Sequence, residues 1–427
     1  VVMGLAVGLA CGSVGGGSVI SWIAMWATVG WRKACGRSEW FAPLVSGTTD
    51  ADGELVELEP CLPPFLDDHR IECLPVSVTS GGEVGIVREP SSGLVTVMLR
   101  VSGRQFAMAE PSEQERLVSS WGSTLALFSA RRGVRQISWT AVGTPEGMDT
   151  HREWLAGQAG GSETARAVYA DLLGAVDEKG LLRHEVVVSV TVDRRKLRVR
   201  RRPGGLTVAE QVAGEAGAAA REIGAQLSGS GHTVGGLMSG PDIAGWLRAR
   251  IDPVRQAALA AEQAKASDGP WELSVTEAGP VHVGETVRHV EMDGRFHCVL
   301  RVTHWPRVPV RAGWLEPMLR WNDGHRVLTV GFEPVNPAKS ARDLKARMNH
   351  MEADEDVRRS QGRRTTMGNK AAVAEAKRLE AELHRGFVET RWFGVVAISA
   401  DSVDELWDAV DAYTAFAANS HIELRPM

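Results

Sequence analysis

The sequence predicts an α/β (α+β) protein. An N-terminal transmembrane segment precedes a duplicated β-β-α-β-α-β-α-β body, built as two mixed-sheet sandwich halves. Three observations carry this reading. Val1 to Trp31 contains no charged residue, and Arg32, Lys33 and Arg37 follow at once. Beyond residue 80 the apolar period switches repeatedly between two and 3.6, the signatures of strand and helix. The same order of elements then recurs about 200 residues later, too long an offset for a solenoid and suited to duplication of one α/β unit.

Roughly 20 apolar residues cross a bilayer as a helix, and lysines and arginines collect on its cytoplasmic flank. Residues 1–35 are therefore read as a transmembrane hairpin: the end of one span, clipped at Val1, a tight turn in the glycine-rich Gly12–Gly17 stretch, and a second span. A single tilted span is the alternative. Trp22, Trp26 and Trp31 suit the interfacial belts. A cleaved signal peptide is disfavoured, because there is no basic n-region and the uncharged run is too long. This places the chain in the plasma (inner) membrane with its body in the cytoplasm.

Residues 36–80 carry Pro60, Pro63, Pro64 and Pro75 and read as an extended linker. The first half, 81–239, opens with a hairpin of Glu83–Val87 and Val95–Val101 around the turn signal EPSSG. In VMLRVSGRQFAMAEPSEQERLVSSWGSTL (97–125) a strand leads to a helix. Ser112 and Glu115 form a capping box, and Leu117, Val118, Trp121, Leu125 and Phe128 share one helical face. A strand at Gln136–Val142, a helix at Glu163–Val176, the strand HEVVVSVTV (184–192), an Ala-rich helix at 207–227 and a short apolar run at His232–Leu237 complete it. Residues 240–280 form a helical bridge. The second half, 281–427, repeats the order. Its hairpin ETVRHVEMDGRFHCVLRV turns at Asp293-Gly294, a type I′ pair. Helix 312–321, strand 326–335, a charged helical segment 338–384 broken near QGRRTTMGN, strand 390–400, helix Ser402–Ala418 and the strand HIELRP follow. Helices on one face of each mixed sheet, with right-handed crossovers, suit such units.

The composition excludes several classes. A net charge of −5 over 427 residues exerts no global pull on nucleic acid. Five cysteines (Cys11, Cys35, Cys61, Cys73 and Cys298) without a C-x-x-C pair read as reduced thiols; a Cys61–Cys73 bridge is the alternative. The nearest approach to a phosphate-binding loop, GRRTTMGNKA (Gly362–Ala371), has one residue too many, Asn369 before Lys370 and Ala371 where a hydroxyl is needed. His282, His289, His297, Cys298 and His304 tempt as metal ligands. In the hairpin His289 faces Cys298, His304 lies roughly 20 Å along the strand from Cys298, and His297 points to the other face. Zinc needs four ligands within about 2.0–2.3 Å of one point, so no metal site is assigned. No nucleophile elbow, zincin helix or paired-carboxylate signature occurs. Asp67-Asp68-His69 has no visible partner, and MEADED (351–356) reads as the wet face of a helix. No catalytic residue and no cofactor are assigned. The one strong charge cluster is RRKLRVRRR: Arg194, Arg195, Lys196, Arg198, Arg200, Arg201 and Arg202. Such a run is either a solvated loop or a contact surface for anionic lipid, a partner protein or the phosphates of nucleic acid, although it lacks aromatics for base stacking.

The membrane run, the segment GLVTVMLRVSGRQFAMAEPSEQERLVSSWGSTLALFSARRGVRQISWTAVGTPEG, the later RFHCVLRVTHWPRVPVRAGWLEPML and the ending RWFGVVAISADSVDELWDAVDAYTAFAANSHIELRP resemble one actinobacterial family. Its members are membrane-anchored proteins of type IV secretion and conjugation clusters. They resemble the non-motor N-terminal domain of the large type IV secretion assembly ATPases, fused to a membrane hairpin. The likeness runs from residue 1 to 427, short of the family's tail. It implies a non-catalytic scaffold subunit in a hetero-oligomeric complex with a separate hexameric secretion-system ATPase, other membrane subunits and the lipid bilayer. The bets for partner contact are the exposed parts of 338–384 and the Arg194–Arg202 run. The alternatives are a membrane scaffold subunit of type VII secretion, a membrane-tethered enzyme, and a DNA-handling protein acting through the arginine run.

Overall fold

A computed structural model describes residues 13–14, 17–18, 30–35, 38–42, 63, 69–76, 82–102, 109–129, 131, 133–146, 152, 155, 157, 162–177, 181–199, 207–255, 278–306, 310–335, 337–361, 367–384 and 389–427. In chain order the strands are β1 (Ser13–Val14), β2 (Gly17–Ser18), β3 (Glu39–Phe41), β4 (Arg70–Val76), β5 (Gly82–Glu89), β6 (Leu94–Ser102), β7 (Val134–Glu146) and β8 (Leu181–Asp193). They continue with β9 (Thr233–Leu237), β10 (His282–Glu285), β11 (Val290–Met292), β12 (Arg295–His304), β13 (His325–Pro334), β14 (Thr390–Ala400) and β15 (Glu423–Pro426). The helices are α1 (Pro111–Ser129), α2 (Glu163–Asp177), α3 (Val208–Gly229), α4 (Gly240–Ile251), α5 (Glu316–Arg320), α6 (Pro337–Ser360), α7 (Met367–His384) and α8 (Val403–Asn419).

Thirteen strands join in one sheet, β3-β10-β11-β12-β14-β13-β7-β8-β6-β5-β4, with β15 beside β12 and β9 beside β6. Read outward from the central β7–β13 pair, the order is β7-β8-β6-β5 on one side and β13-β14-β12-β11 on the other. The two halves therefore repeat one topology. The expected pair of mixed sheets is corrected to a single sheet, and all its described pairings are antiparallel. The reason is local. β6-α1-β7 is a crossover between like-directed strands, but β8 inserts between them, a split β-α-β arrangement in which parallel strands never pair. The equivalent strands β12, β13 and β14 do the same.

The stretch expected as an extended linker supplies a strand to each edge of this sheet. β3 pairs with β10, and β4 pairs with β5. Pro75 masked the period of β4 in the sequence; β4 ends the sheet, and an edge strand is where proline is tolerated. The expected transmembrane hairpin, residues 1–35, falls largely outside the described residues. Within it Ser13–Val14 pairs antiparallel with Gly17–Ser18, and among the described residues no helix is long and apolar enough to cross a membrane. Arg32 donates to Glu285 Oε2 at 2.7 Å, tying the end of this region to β10.

One face of the sheet carries α1, α3, α5 and α8. In the first half Val97, Leu99, Val188, Val190 and Ile137 pack against Val212, Ala216, Ala220 and Ile223 of α3. The small residues Ala213, Gly217, Ala219 and Gly224 let this helix lie close to the sheet. Each fully buried aliphatic side chain contributes about 1.5–3 kcal/mol. Thr207 and Glu210 close a full capping box at its start. In the second half Cys298, Leu300, Leu328, Val396 and Ile398 pack on Leu406, Val410 and Tyr413 of α8. Trp121, Leu125 and Trp139 belong to both clusters, so the core is continuous across the halves. The expected cap at Ser112 is displaced: α1 already begins at Pro111, whose ring presets the φ of a first helical turn. The predicted 312–321 helix shortens to α5, and the 338–384 segment divides into α6 and α7 at the break read from QGRRTTMGN.

Candidate functional site

The described part of the basic run lies at the end of β8. Arg194–Lys196 form a 3-10 turn at the end of β8, capped by Asp193, whose Oδ1 accepts from Arg195 N at 2.9 Å. Arg195 Nη2 donates to Ser91 O at 3.0 Å, fastening the turn to the β5–β6 hairpin. Leu197 and Val199 pack against the core and Arg198 is exposed. The run is thus the rim of a folded edge; Arg200, Arg201 and Arg202 lie outside the described residues. The 338–384 segment is largely exposed, and Val357 on α6 is an exposed apolar residue.

The histidines tested as metal ligands are dispersed. His289 packs edge-to-face on Phe296 and Trp407, His304 Nδ1 meets Glu423 Oε2 at 2.8 Å, and His282 stacks on Phe41. His297 leaves the sheet on the face opposite Cys298, whose thiol burial pushes up to about 11. Among the described residues no group of three His, Cys, Asp or Glu side chains is placed to hold a metal ion.

The polar side chains that do converge lie where the halves meet. α4 starts at a capping box of Ser239 and Asp242. Its Ile243 and Trp246 pack on Met98, Val187 and Val87, on the sheet face opposite α3. Its last turn delivers Arg248 and Arg250 to the seam. Arg248 Nη1 donates to Asp293 Oδ2 at 2.5 Å and to Gly279 O at 3.1 Å. Asp293 Oδ1 accepts from Val281 N at 2.7 Å and His282 N at 2.9 Å. Asp293 has φ 52, the left-handed region that Asp tolerates better than most residues. Arg250 donates to Glu185 at 3.4 Å and lies 5.3 Å from the Trp246 ring centre. Burial pushes its pKa down to about 10, with Glu185 opposing.

A row of paired residues crosses the strands beneath. His297 lies opposite Ser399, and Ser399 opposite His325. Ser399 Oγ and His297 Nδ1 share a hydrogen bond of 2.7 Å, and Thr144 Oγ1 and His325 Nδ1 one of 3.1 Å. Burial, reinforced by Arg295, pushes His297 down to about 4. Burial, then Arg250 and Arg295, pushes His325 down to about 3. Both imidazoles are neutral at pH 7. The Ser399–His297 contact has the residue types of a nucleophile and base, but an imidazole with so low a pKa is a weak base for a hydroxyl proton. The row is suited to aligning strands.

Arg326 enters the opposite face, in phase with Leu328, Val330 and Phe332. It is fully buried, and its guanidinium lies over Gly143, where a Cβ would stand 2.9 Å from Cζ. Sequence reasoning placed His297 on its face but missed Arg248, Asp293, Arg250, His325 and Arg326. A charge at an inward position of RVLTVGF was the available signal for the last. Away from the seam, an open cavity of about 570 Å3 is lined by His304, Trp305, Thr414, His421, Glu423 and Leu424. No protein-family model matches the chain, and no curated protein does.

Proposed function

We propose that the chain is a non-catalytic, membrane-anchored scaffold subunit of a type IV secretion or conjugative DNA-transfer machine, docking a separate ATPase. The membrane part of this reading rests on the uncharged Val1–Trp31 run and its basic flank; the machine rests on the resemblance of the segments quoted above. The observation that carries the docking role is the pair of helical inserts. Each half opens the connection between equivalent strands, β7 to β8 and β13 to β14, to admit helices. α2 exposes Val168 and Leu172, and α6 exposes Val357. Because β7 and β13 are antiparallel, the inserts leave the sheet at opposite ends. Such exposed apolar residues on projecting helices are suited to partner contact. The Arg194–Lys196 rim offers anionic lipid a second surface.

Copurification tests this. The full chain, tagged and extracted from membranes in detergent, should bring down a hexameric ATPase and further membrane subunits, and Val357→Glu should weaken that recovery. Recovery of the chain in the soluble fraction, nucleoside triphosphate turnover by the chain alone, or copurification of type VII secretion ATPase and pore subunits would each overturn it. DNA retention abolished by replacing Arg194–Arg202 with Ser would favour direct DNA handling instead.

A further inference from the structure

Arg326 is a buried cation with no ion-pair partner among the described residues. It is 0% exposed, and among the described residues its Nε, Nη1 and Nη2 have no hydrogen-bond partner. A guanidinium cannot escape burial by losing its proton, and a buried charge needs a partner to be tolerated. Burial disfavours its charge, and the Tyr413 phenol is the neighbour that offsets this. Its charge reaches its neighbours: Arg326 adds to the burial that lowers the pKa of His184 and of His325. The local backbone is shaped around the guanidinium: Gly143 leaves out the Cβ that would stand 2.9 Å from Cζ and Nη2. His184, directly opposite Gly143 on β8, is exposed and gives the site a solvent side.

We propose that Arg326 anchors an oxyanion site at the junction of the halves, taking a phosphate group that is either free or carried by a nucleotide. Guanidinium and phosphate match in charge and in the geometry of paired N–H···O bonds. Arg326 supplies the donors, Gly143 the space in which the guanidinium itself sits, and His184 the flank. The site stands independently of the scaffold reading.

Thermal unfolding of the full chain tests it, in chloride and in inorganic phosphate or ADP at matched pH and ionic strength. A ligand that binds only the folded state raises its melting temperature. The parent should gain roughly 2–5 °C more than Arg326→Met does, a difference that cancels the general stabilising effect of phosphate salts. A gain with inorganic phosphate assigns the free ion, and a gain with ADP alone assigns a carried phosphate. Arg326→Met should also melt above the parent in chloride, because it removes an uncompensated charge. Gly143→Ala should keep the fold, displace the flexible guanidinium and lose the ligand-dependent gain. Equal gains for the parent and Arg326→Met, or a Met variant less stable than the parent in chloride, would overturn the proposal.

Discussion

At the residue scale, Asp293 joins three elements through one carboxylate. It holds Arg248 of α4 with one oxygen and the backbone of β10 with the other, from a turn position with positive φ. Asp293→Ala removes the partner of a nearly buried guanidinium and should destabilise the protein by about 3–5 kcal/mol; Asp293→Asn, which keeps an acceptor and tolerates the turn, should cost less. Urea midpoints of the two variants check this order. The two seam histidines make a second prediction. Their folded pKa values, about 4 for His297 and about 3 for His325, lie below the ordinary 6.5. On acidification the unfolded chain therefore takes up protons that the folded one refuses, and stability falls. The loss should begin below about pH 6.5 and level off only near pH 3–4, at up to about 1.4 kcal/mol per pH unit for each histidine. Urea denaturation between pH 7 and 4.5 measures it, and His325→Gln should flatten the slope. Neither role is visible in a linear chain. Asp293-Gly294 announces a turn, and the turn is there, but the Arg248 that completes it comes from 45 residues away.

At the element scale the repeat exposes one difference in helix termination. α3 ends at Ser230-Gly231-His232, and α8 ends at Ser420-His421-Ile422. In both, the amide two residues past the cap region reaches back, His232 N to Leu227 O at 3.0 Å and Ile422 N to Ala417 O at 3.1 Å. The residue that must turn left-handed is glycine in the first case, φ 92, and histidine in the second, φ 57. Glycine meets no Cβ penalty there. His421→Gly should stabilise the chain by about 0.5–1 kcal/mol, read as a higher urea midpoint with unchanged slope. The elements themselves were largely legible. β14 was placed at its observed bounds, and α2, α3 and α8 within two residues, because each alternates or repeats its apolar residues cleanly. The misplaced cap at Ser112 and the shortened α5 fall where a proline at the first helical turn and local turns compete with periodicity.

At the scale of the whole molecule, the β7–β13 pair makes two repeats into one body. Thr140 and Thr329 lie directly opposite each other at this pair and share a hydrogen bond of 2.9 Å. A double-mutant cycle of Thr140→Val and Thr329→Val should return a coupling of about 0.5–1.5 kcal/mol across the halves. Trp121 of the first half meets Phe332 of the second edge-to-face, with ring centres 5.8 Å apart. Urea unfolding should therefore be one transition, coincident by tryptophan fluorescence and far-ultraviolet circular dichroism; two separated transitions would mean that the halves fold alone. By itself the sequence determined most helices and strands of the two halves and their repeated order, because each is written in the spacing of neighbouring apolar residues. The tertiary structure alone decided that the sheet is single and antiparallel, that strands from the stretch before the first half complete its edges, that Arg248 meets Asp293, and that His325 and Arg326 are buried on opposite faces of β13. Pairing partners and buried charges are chosen by contacts between residues tens to nearly two hundred positions apart, and local periodicity carries no record of them.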